Sequence, residues 1–425
     1  MLASETDKHW KVGYVSGSFD PFHIGHLRLL QRAKERSTTD IKKYIIGGTM
    51  EQSKLNGKGE TAMLQPTGSL QKLRSLAKTR KAVVWGVGAI TIHWFRNCEH
   101  LVNVSYLVDN DKNKQGEFFN GKQIHSPMVL QNESEPIILI IANSRRFKEI
   151  AEQAYQIMGD KLDFIFYAEI LVYSYYFDKY DFLHSVENLF EKESLFMLNG
   201  INKKFLDGNP DFSDICEGNE YLVKEIAENT VKEEIAVDAG VYDGITTEMF
   251  INFFGQNLKK IYCFEPNSHN YEVSQKRLAN FSKNCDLALI KAGLSDKDCE
   301  IEMGFSPHDF AGATIDPDKL KYCQLETITV KCLDSVIKET ETVTFIKMDI
   351  EGAEYDALIG ARKTIMRCKP KLAICLYHRP QDYICIPLLV KSMVPEYKLY
   401  IHHHGKFLLD TVLYAVADIN EKEEA

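Results

Sequence analysis

Apolar residues in this chain gather in short runs that end on a carboxylate or a glycine turn, and between the runs they recur at helical spacing. That pattern predicts βαβ units and hence an α/β fold. It is clearest from Glu234 to Glu265. Ile235, Ala236 and Val237 form an apolar strand that ends on Asp238, and the turn Ala239, Gly240, Val241, Tyr242, Asp243, Gly244 follows. Ile245, Met249, Phe250 and Phe253 then recur as one helical face, with Thr246 and Thr247 placed to cap the first turn and Gly255 to stop it. A second strand, Ile261 to Phe264, ends on Glu265.

A ligand of such a unit lies across the carboxyl ends of the strands, where glycines allow close approach to the backbone. A pyrophosphate site calls for G-x-G-x-x-G. Here the glycines are Gly240 and Gly244, with Asp238 before them and Asp243 between. Two acids facing the pocket repel a diphosphate but suit an ammonium and a sulfonium, and Glu265 is placed to accept the two hydroxyls of a ribose. S-adenosylmethionine fits that description. The plainer alternative is an ordinary βαβ crossover with a glycine turn.

Further along, the strand Leu287 to Ala292 leads to Gly293, Leu294, Ser295 and Asp296, a turn expected to flank an adenine without an acid at the usual position. The strand Val343 to Met348 delivers Asp349 to its carboxyl end, and Glu351 and Glu354, three apart, are expected on one face of the next helix. The strand Leu372 to Leu376 ends in Tyr377, His378, Arg379 and Pro380, and Gln381-Asp382 opens another helix. Asp349 is placed as a base or substrate anchor, and His378 is the best imidazole for base or acceptor binding. No metal is expected, although Asp349, Glu351 and His378 are the set able to hold a divalent ion. His402 and His404 share a strand face, either rimming the acceptor pocket or on an exposed hairpin.

The segments VDAGVYDGITT, YCFEPNSHNY, IKMDIEGAEYDAL and LAICLYHRPQDYICIP resemble successive motifs of the FkbM-type methyltransferase family, in the family's order, over roughly residues 200–415. The resemblance implies a seven-stranded, Rossmann-like class I methyltransferase domain at 201–425 and methyl transfer from S-adenosylmethionine to an oxygen, commonly a sugar hydroxyl. Cofactor contacts are expected from Asp238, Gly240, Tyr242, Asp243, Gly244, Thr246, Glu265, Pro266, Asn267, Leu294 and Ser295. The resemblance also points to Asp349, and His378 completes the expected catalytic pair.

Two further units precede this one. Val12 to Val15 read as a strand, Ser16 to Phe22 as a turn, and His23, Ile24, Gly25, His26 as the start of a helix. GSFDPFHIGHLRLLQRAKE is similar to the opening of nucleotidylyltransferases, including cytidylyltransferases, which implies that His23 and His26 stabilise charge on a triphosphate. The later basic and phosphate-binding segments of such a domain are not found, so residues 1–60 are expected to be a partial βα unit. In residues 61–200, an apolar strand runs into Gly86, Val87 and Gly88, Thr91 takes the place of a third glycine, and Asp109 ends the next strand. A third strand, Pro136 to Ile141, precedes Ser144, Arg145 and Arg146. This region resembles the small Rossmann-like domain found ahead of some FkbM-type methyltransferases, and a nucleotide-linked sugar is as plausible a ligand as a nicotinamide cofactor. The aromatic stretch 162–200 is expected to be packing rather than a carbohydrate platform.

Composition narrows the partners. A net charge of −9 argues against nucleic acid. No apolar run approaches the roughly 18 residues that span a bilayer, and the first residues carry no export pattern, so a soluble, cytoplasmic protein is expected. Ten scattered cysteines without C-x-x-C pairs read as reduced thiols. The leading expectation is an O-methyltransferase acting on a sugar, glycan or nucleotide-linked sugar precursor, of unspecified oligomeric state. The alternatives are nucleotidyl transfer by the first segment and a noncatalytic recruiting role for the front domains.

Overall fold

Every strand of the seven-stranded sheet except its edge strands is buried on both faces over nearly its whole length, which is what a sheet covered by helices on two sides requires. The computed structural model describes residues 68–417, apart from 144–145, 219, 282–284, 307–308 and 315–323. The readings made on His23, His26, Ser144 and Arg145 fall outside the described residues.

The first sheet comprises β1 (Ala82–Trp85), β2 (Val104–Val108), β3 (Phe118–Phe119), β4 (Lys122–His125), β5 (Ile138–Ile141) and β6 (Ile165–Tyr167). Their order is β3-β4-β2-β1-β5-β6, parallel except for β3. The second sheet comprises β7 (Glu234–Ala239), β8 (Leu258–Phe264), β9 (Asp286–Ile290), β14 (Phe345–Met348), β15 (Lys371–Cys375), β16 (Lys398–His403) and β17 (Thr411–Val416). These run β16-β17-β15-β14-β7-β8-β9, with β17 antiparallel to its neighbours, as the sequence predicts for a class I methyltransferase fold. Between β9 and β14 the chain builds a small sheet from β10 (Gly293–Leu294), β11 (Cys299–Ser306), β12 (Asp309–Thr314) and β13 (Gln324–Lys331), in the order β10-β13-β11-β12.

The aromatic stretch joins the two large sheets. Tyr173 and Phe177 on the helix Ala168–Tyr180, Phe182, Phe205 on the helix Leu195–Asp207, and Tyr383 form one buried cluster, each ring no more than 2% exposed. Tyr173 stacks on Phe205 at 4.8 Å and Phe177 on Phe182 at 4.1 Å. Backbone bonding reinforces the junction: Glu191 N–H donates to Leu399 O (2.9 Å) and Ile401 N–H to Ser194 Oγ (3.1 Å). The stretch Asp207 to Cys216, which reads as a linker from Asn209, Pro210 and Asp211, is packed down, with Phe212 fully buried and its N–H on Lys406 O.

Three local expectations are corrected. The helix Ile245–Phe254 buries Thr247, Phe250, Ile251 and Phe254, while Ile245 and Phe253 are 55% and 40% exposed. Its inward face is set by Thr247, tied to Asp238, so the face is rotated by about one residue. Thr246 and Thr247 do not cap it; Gly244 sits at the cap with φ +88° and Asp243 Oδ1 accepts the Ile245 N–H. The run GNEYLVKEIAENTVKEE, residues 218–234, reads as a helix leading into β7, but among its described residues only Lys224–Ala227 is α-helical, because Tyr221 turns the chain with φ +64°. The cysteines among the described residues are free, and no described helix is long and apolar enough to cross a membrane.

Truncating Phe205→Ala removes a fully buried ring and should lower stability by about 3–5 kcal/mol in equilibrium urea denaturation. A loss below about 1 kcal/mol would mean that the aromatic stretch is not the packing that joins the sheets.

Candidate active site

The strand order reverses between β7 and β14, and a cavity of about 290 Å³ opens over the carboxyl ends at that point. Its floor is Gly240, Tyr242, Asp243 and Thr246 after β7, Glu265 and Pro266 after β8, and Leu294 and Ser295 after β9. Lys347, Asp349, Glu351 and Tyr377 close it from β14 and β15, and Ile301, Met303, Phe305, Ile328 and Val330 of the small sheet supply an apolar wall.

The floor is held by one buried ion pair. Lys347, at the end of β14, is 1% exposed and Asp238 is fully buried, with Nζ 3.1 Å from Oδ1. The same ammonium donates to Ala239 O (3.1 Å) and Gly240 O (2.7 Å), and Thr247 Oγ1 donates to Asp238 Oδ2 (2.6 Å). Although burial opposes the charge, Asp238 and then Asp349 hold the Lys347 ammonium above its ordinary range. Gly240 has φ +84°, and a Cβ there would lie 1.8 Å from Asp349 O, so no other residue fits between the two strand tips.

Asp238 therefore does not face the cavity. Its charge is consumed by Lys347 behind the turn, which corrects the expectation of two acids lining the pocket. Gly244 and Asn267 also lie off the lining. Gly244 caps the helix, and Asn267 caps the helix Ser268–Leu278 through Asn270 N–H while its own N–H donates to Glu265 Oε1 (2.9 Å). Glu265 does face the cavity. Its Oε2 accepts the Tyr242 N–H (2.9 Å), and burial pushes its carboxyl up to about 7 despite those two backbone donors. The remaining predicted cofactor residues, Gly240, Tyr242, Asp243, Thr246, Pro266, Leu294 and Ser295, are brought together on the lining.

At the acceptor end, Asp349 receives two phenols: Tyr377 Oη donates to Oδ1 (2.8 Å) and Tyr221 Oη to Oδ2 (2.9 Å). Burial would raise its carboxyl, but Lys347, His378 and the two tyrosines outweigh it and hold Asp349 below the usual range. His378 lies beneath the cavity rather than on its lining, 8% exposed, with Nε2 3.4 Å from Asp349 and 3.8 Å from Glu351, and Nδ1 2.9 Å from Glu354. Burial alone would lower its pKa, yet the three carboxylates, Glu354 foremost, push it up to about 10. At neutral pH this imidazolium has no lone pair to accept a proton, so His378 is corrected from base to buried cation. Asp382, also buried, is pushed well up by burial and then by Glu354.

Glu351 and Glu354 do not share a helical face. Glu351 (φ +58°) and Gly352 (φ +91°) form the turn before the helix Glu354–Gly360, and only Glu354 is helical. His402 and His404 neither rim the cavity nor lie free on a hairpin. His402 bonds Glu217 and pairs with Glu225, and His404 bonds Glu217 O and Tyr414 Oη. In the front sheet, Asp109 takes the Val87 and Asp111 N–H groups (2.8 Å each), while Thr91 Oγ1 donates to Gly86 O (2.7 Å), so the glycine turn is braced by its own chain.

Sequence reasoning missed Tyr221, Tyr377 as a partner of Asp349, and the apolar wall. Tyr221 is invisible locally because its contact spans 128 residues. The wall was readable in the alternation of Ile301, Met303 and Phe305, which puts all three on one strand face.

Residues 238–408 match the Methyltransferase FkbM domain, 78–165 the C2185-like N-terminal family, and 14–66 the Cytidylyltransferase-like family. No curated protein matches. The crystal structure of the methyltransferase FkbM from Methylobacillus flagellatus KT shares the fold at 21% identity and a TM-score of 0.55, over 83% of this chain and 94% of that one. Weaker matches include an rRNA methylase from Streptococcus thermophilus (17% identity, 45% of this chain and 92% of that one, TM-score 0.30) and the Aeropyrum pernix fibrillarin (13%, 44% and 66%, 0.27).

Replacing Lys347 by Met leaves Asp238 buried and unpaired, and should cost about 3–5 kcal/mol in urea denaturation. Adding Asp238→Asn should recover part of that loss. A double variant less stable than the single one would show that the pair is not what holds the turn.

Proposed function

We propose that the FkbM-type methyltransferase domain at residues 238–408, whose cofactor is S-adenosylmethionine, transfers the methyl group to a hydroxyl of a sugar, glycan or nucleotide-linked sugar precursor. The observation that carries this reading is the placement of two carboxylates, Glu265 and Asp349, on opposite sides of the Gly240 turn on one cavity lining. The residues fit the cofactor. Glu265 has lone pairs remaining for two ribose hydroxyls, Gly240 leaves the floor open where a Cβ would clash, and Leu294 and Pro266 offer apolar edges for a base. Bound there, the cofactor supplies an electrophilic methyl on a sulfonium, a leaving group that departs as a neutral thioether.

The rest is positioning. Asp349, ionised and held by Tyr221 and Tyr377, accepts a hydrogen bond from the incoming hydroxyl and aims its oxygen. Its lowered pKa makes it an orienting acceptor more than a strong base, so the hydroxyl proton passes to solvent only as the new C–O bond forms. His378 fixes the Asp349 carboxylate from beneath, and the small sheet's apolar wall excludes water from the transfer. The domain acts on a hydroxyl-bearing small molecule or glycan rather than on nucleic acid, in keeping with the net charge of −9.

The match of residues 14–66 to the Cytidylyltransferase-like family favours a second reading, in which the front segment transfers a nucleotidyl group through His23 and His26. Release of pyrophosphate from CTP with a sugar or alcohol phosphate tests it.

Binding of S-adenosylmethionine, followed by calorimetry, should tighten as pH rises through about 7, because Glu265 accepts both ribose hydroxyls only when ionised. Glu265→Gln should flatten that dependence and weaken binding at least about tenfold. The same group makes the unliganded fold lose stability with rising pH: its folded pKa lies above the unfolded one, so the contribution is present below about 4.5 and gone above about 7. Asp349→Asn should slow methyl transfer to a hydroxyl acceptor by about 10²–10⁴-fold while cofactor affinity stays within a few-fold. Equal turnover by the variant would remove Asp349 from the reaction.

A further inference from the structure

Beneath the acceptor end of the cavity, Asp349, Glu351 and Glu354 converge on one imidazole. One ligand atom each from Asp349, Glu354 and His378 lies within 4.8 Å of the others. The donor atoms around a six-coordinate ion with bonds of about 2.1–2.4 Å stand roughly 3–5 Å apart, so these side chains are already at the separation such an ion needs.

A second observation points to a ligand rather than to an acidic patch. Glu354 is fully buried, and although its Oε1 accepts the Ile350 N–H (2.8 Å), its Oε2 has no hydrogen-bond partner among the described residues. His378 Nδ1 lies 2.9 Å from Oε1 without the alignment of a hydrogen bond. A buried anionic oxygen without a donor is costly unless a cation meets it.

We infer that Asp349, Glu354 and His378 form a binding site for one divalent cation, which takes the place of a proton on the imidazole, with Glu351 at its rim and open positions toward the cavity. Two hard carboxylates and one imidazole suit Mg²⁺ or Mn²⁺ rather than a thiophilic metal. Asp349 and Glu351 both line the cavity, so an ion held between them and His378 faces the place where the acceptor enters. Resting on the methyl-transfer reading, its role is to bind the acceptor's hydroxyl oxygen and ease loss of its proton. The O–H bond breaks and its proton passes to solvent. The oxygen lone pair forms the O–CH₃ bond, and the S–CH₃ pair returns to sulfur as a neutral thioether.

The test uses the full chain, stripped with a chelator, dialysed, and titrated with Mn²⁺ alone while free Mn²⁺ is read by electron paramagnetic resonance. The inference predicts one bound ion per chain with micromolar affinity. Glu354→Gln and His378→Gln should each weaken it at least about tenfold, with unchanged circular dichroism. No bound Mn²⁺ up to about millimolar concentration, or undiminished binding in both folded variants, overturns it. Should the variants misfold, the wild-type stoichiometry alone decides. Calorimetry with S-adenosylmethionine on the same sample separates the two claims: Mn²⁺ bound without cofactor sinks the methyl-transfer reading, and cofactor bound without Mn²⁺ sinks only the ion site.

Discussion

One buried ammonium organises the site. Lys347 reaches from the end of β14 to the carboxylate of Asp238 and to two carbonyls of the glycine turn, at the place where the sheet changes direction. Two strands thereby meet at a fixed spacing, so close that Gly240 has no room for a side chain. Because the acid at the tip of β7 is neutralised from behind, the floor presents backbone and Tyr242 to a ligand. The charge that faces the ligand comes from Glu265 and Asp349.

Those two carboxylates sit in different electrostatic surroundings. Glu265 is buried, and that burial pushes it up to about 7 despite its donors; Asp349 is surrounded by Lys347, His378 and two phenols and is held ionised. The first suits ribose recognition that strengthens with pH, the second an acceptor anchor that keeps its charge across the physiological range. Tyr221 links this chemistry to the polypeptide ahead of β7, and Tyr173 of the front unit donates to Tyr377 O, so packing between the two sheets bears directly on the residues around Asp349.

The strand tips were legible in the sequence because a strand's end and its turn are local events: Asp238, Glu265 and Asp349 all lie where apolar runs stop. Which way each acid points was not, since that depends on Lys347, 109 residues from Asp238 in the chain. For the same reason Glu351 looked helical. A turn with φ +58° is permitted by the following Gly352, but nothing in the i, i+3 spacing of two glutamates reports it. His378 illustrates the limit most sharply. An imidazole at a strand end reads as a base, and only the three carboxylates packed against it, two of them on a different loop and one on a helix, make it a cation.

The structure of the full chain crystallised with S-adenosylhomocysteine is the most direct test of the central claim, that the ligand lies across the Gly240 turn between Glu265 and Asp349. The account predicts both ribose hydroxyls within roughly 3 Å of Glu265 and the sulfur turned toward Asp349. A ligand bound elsewhere, or one whose ribose leaves Glu265 without a contact, would contradict it.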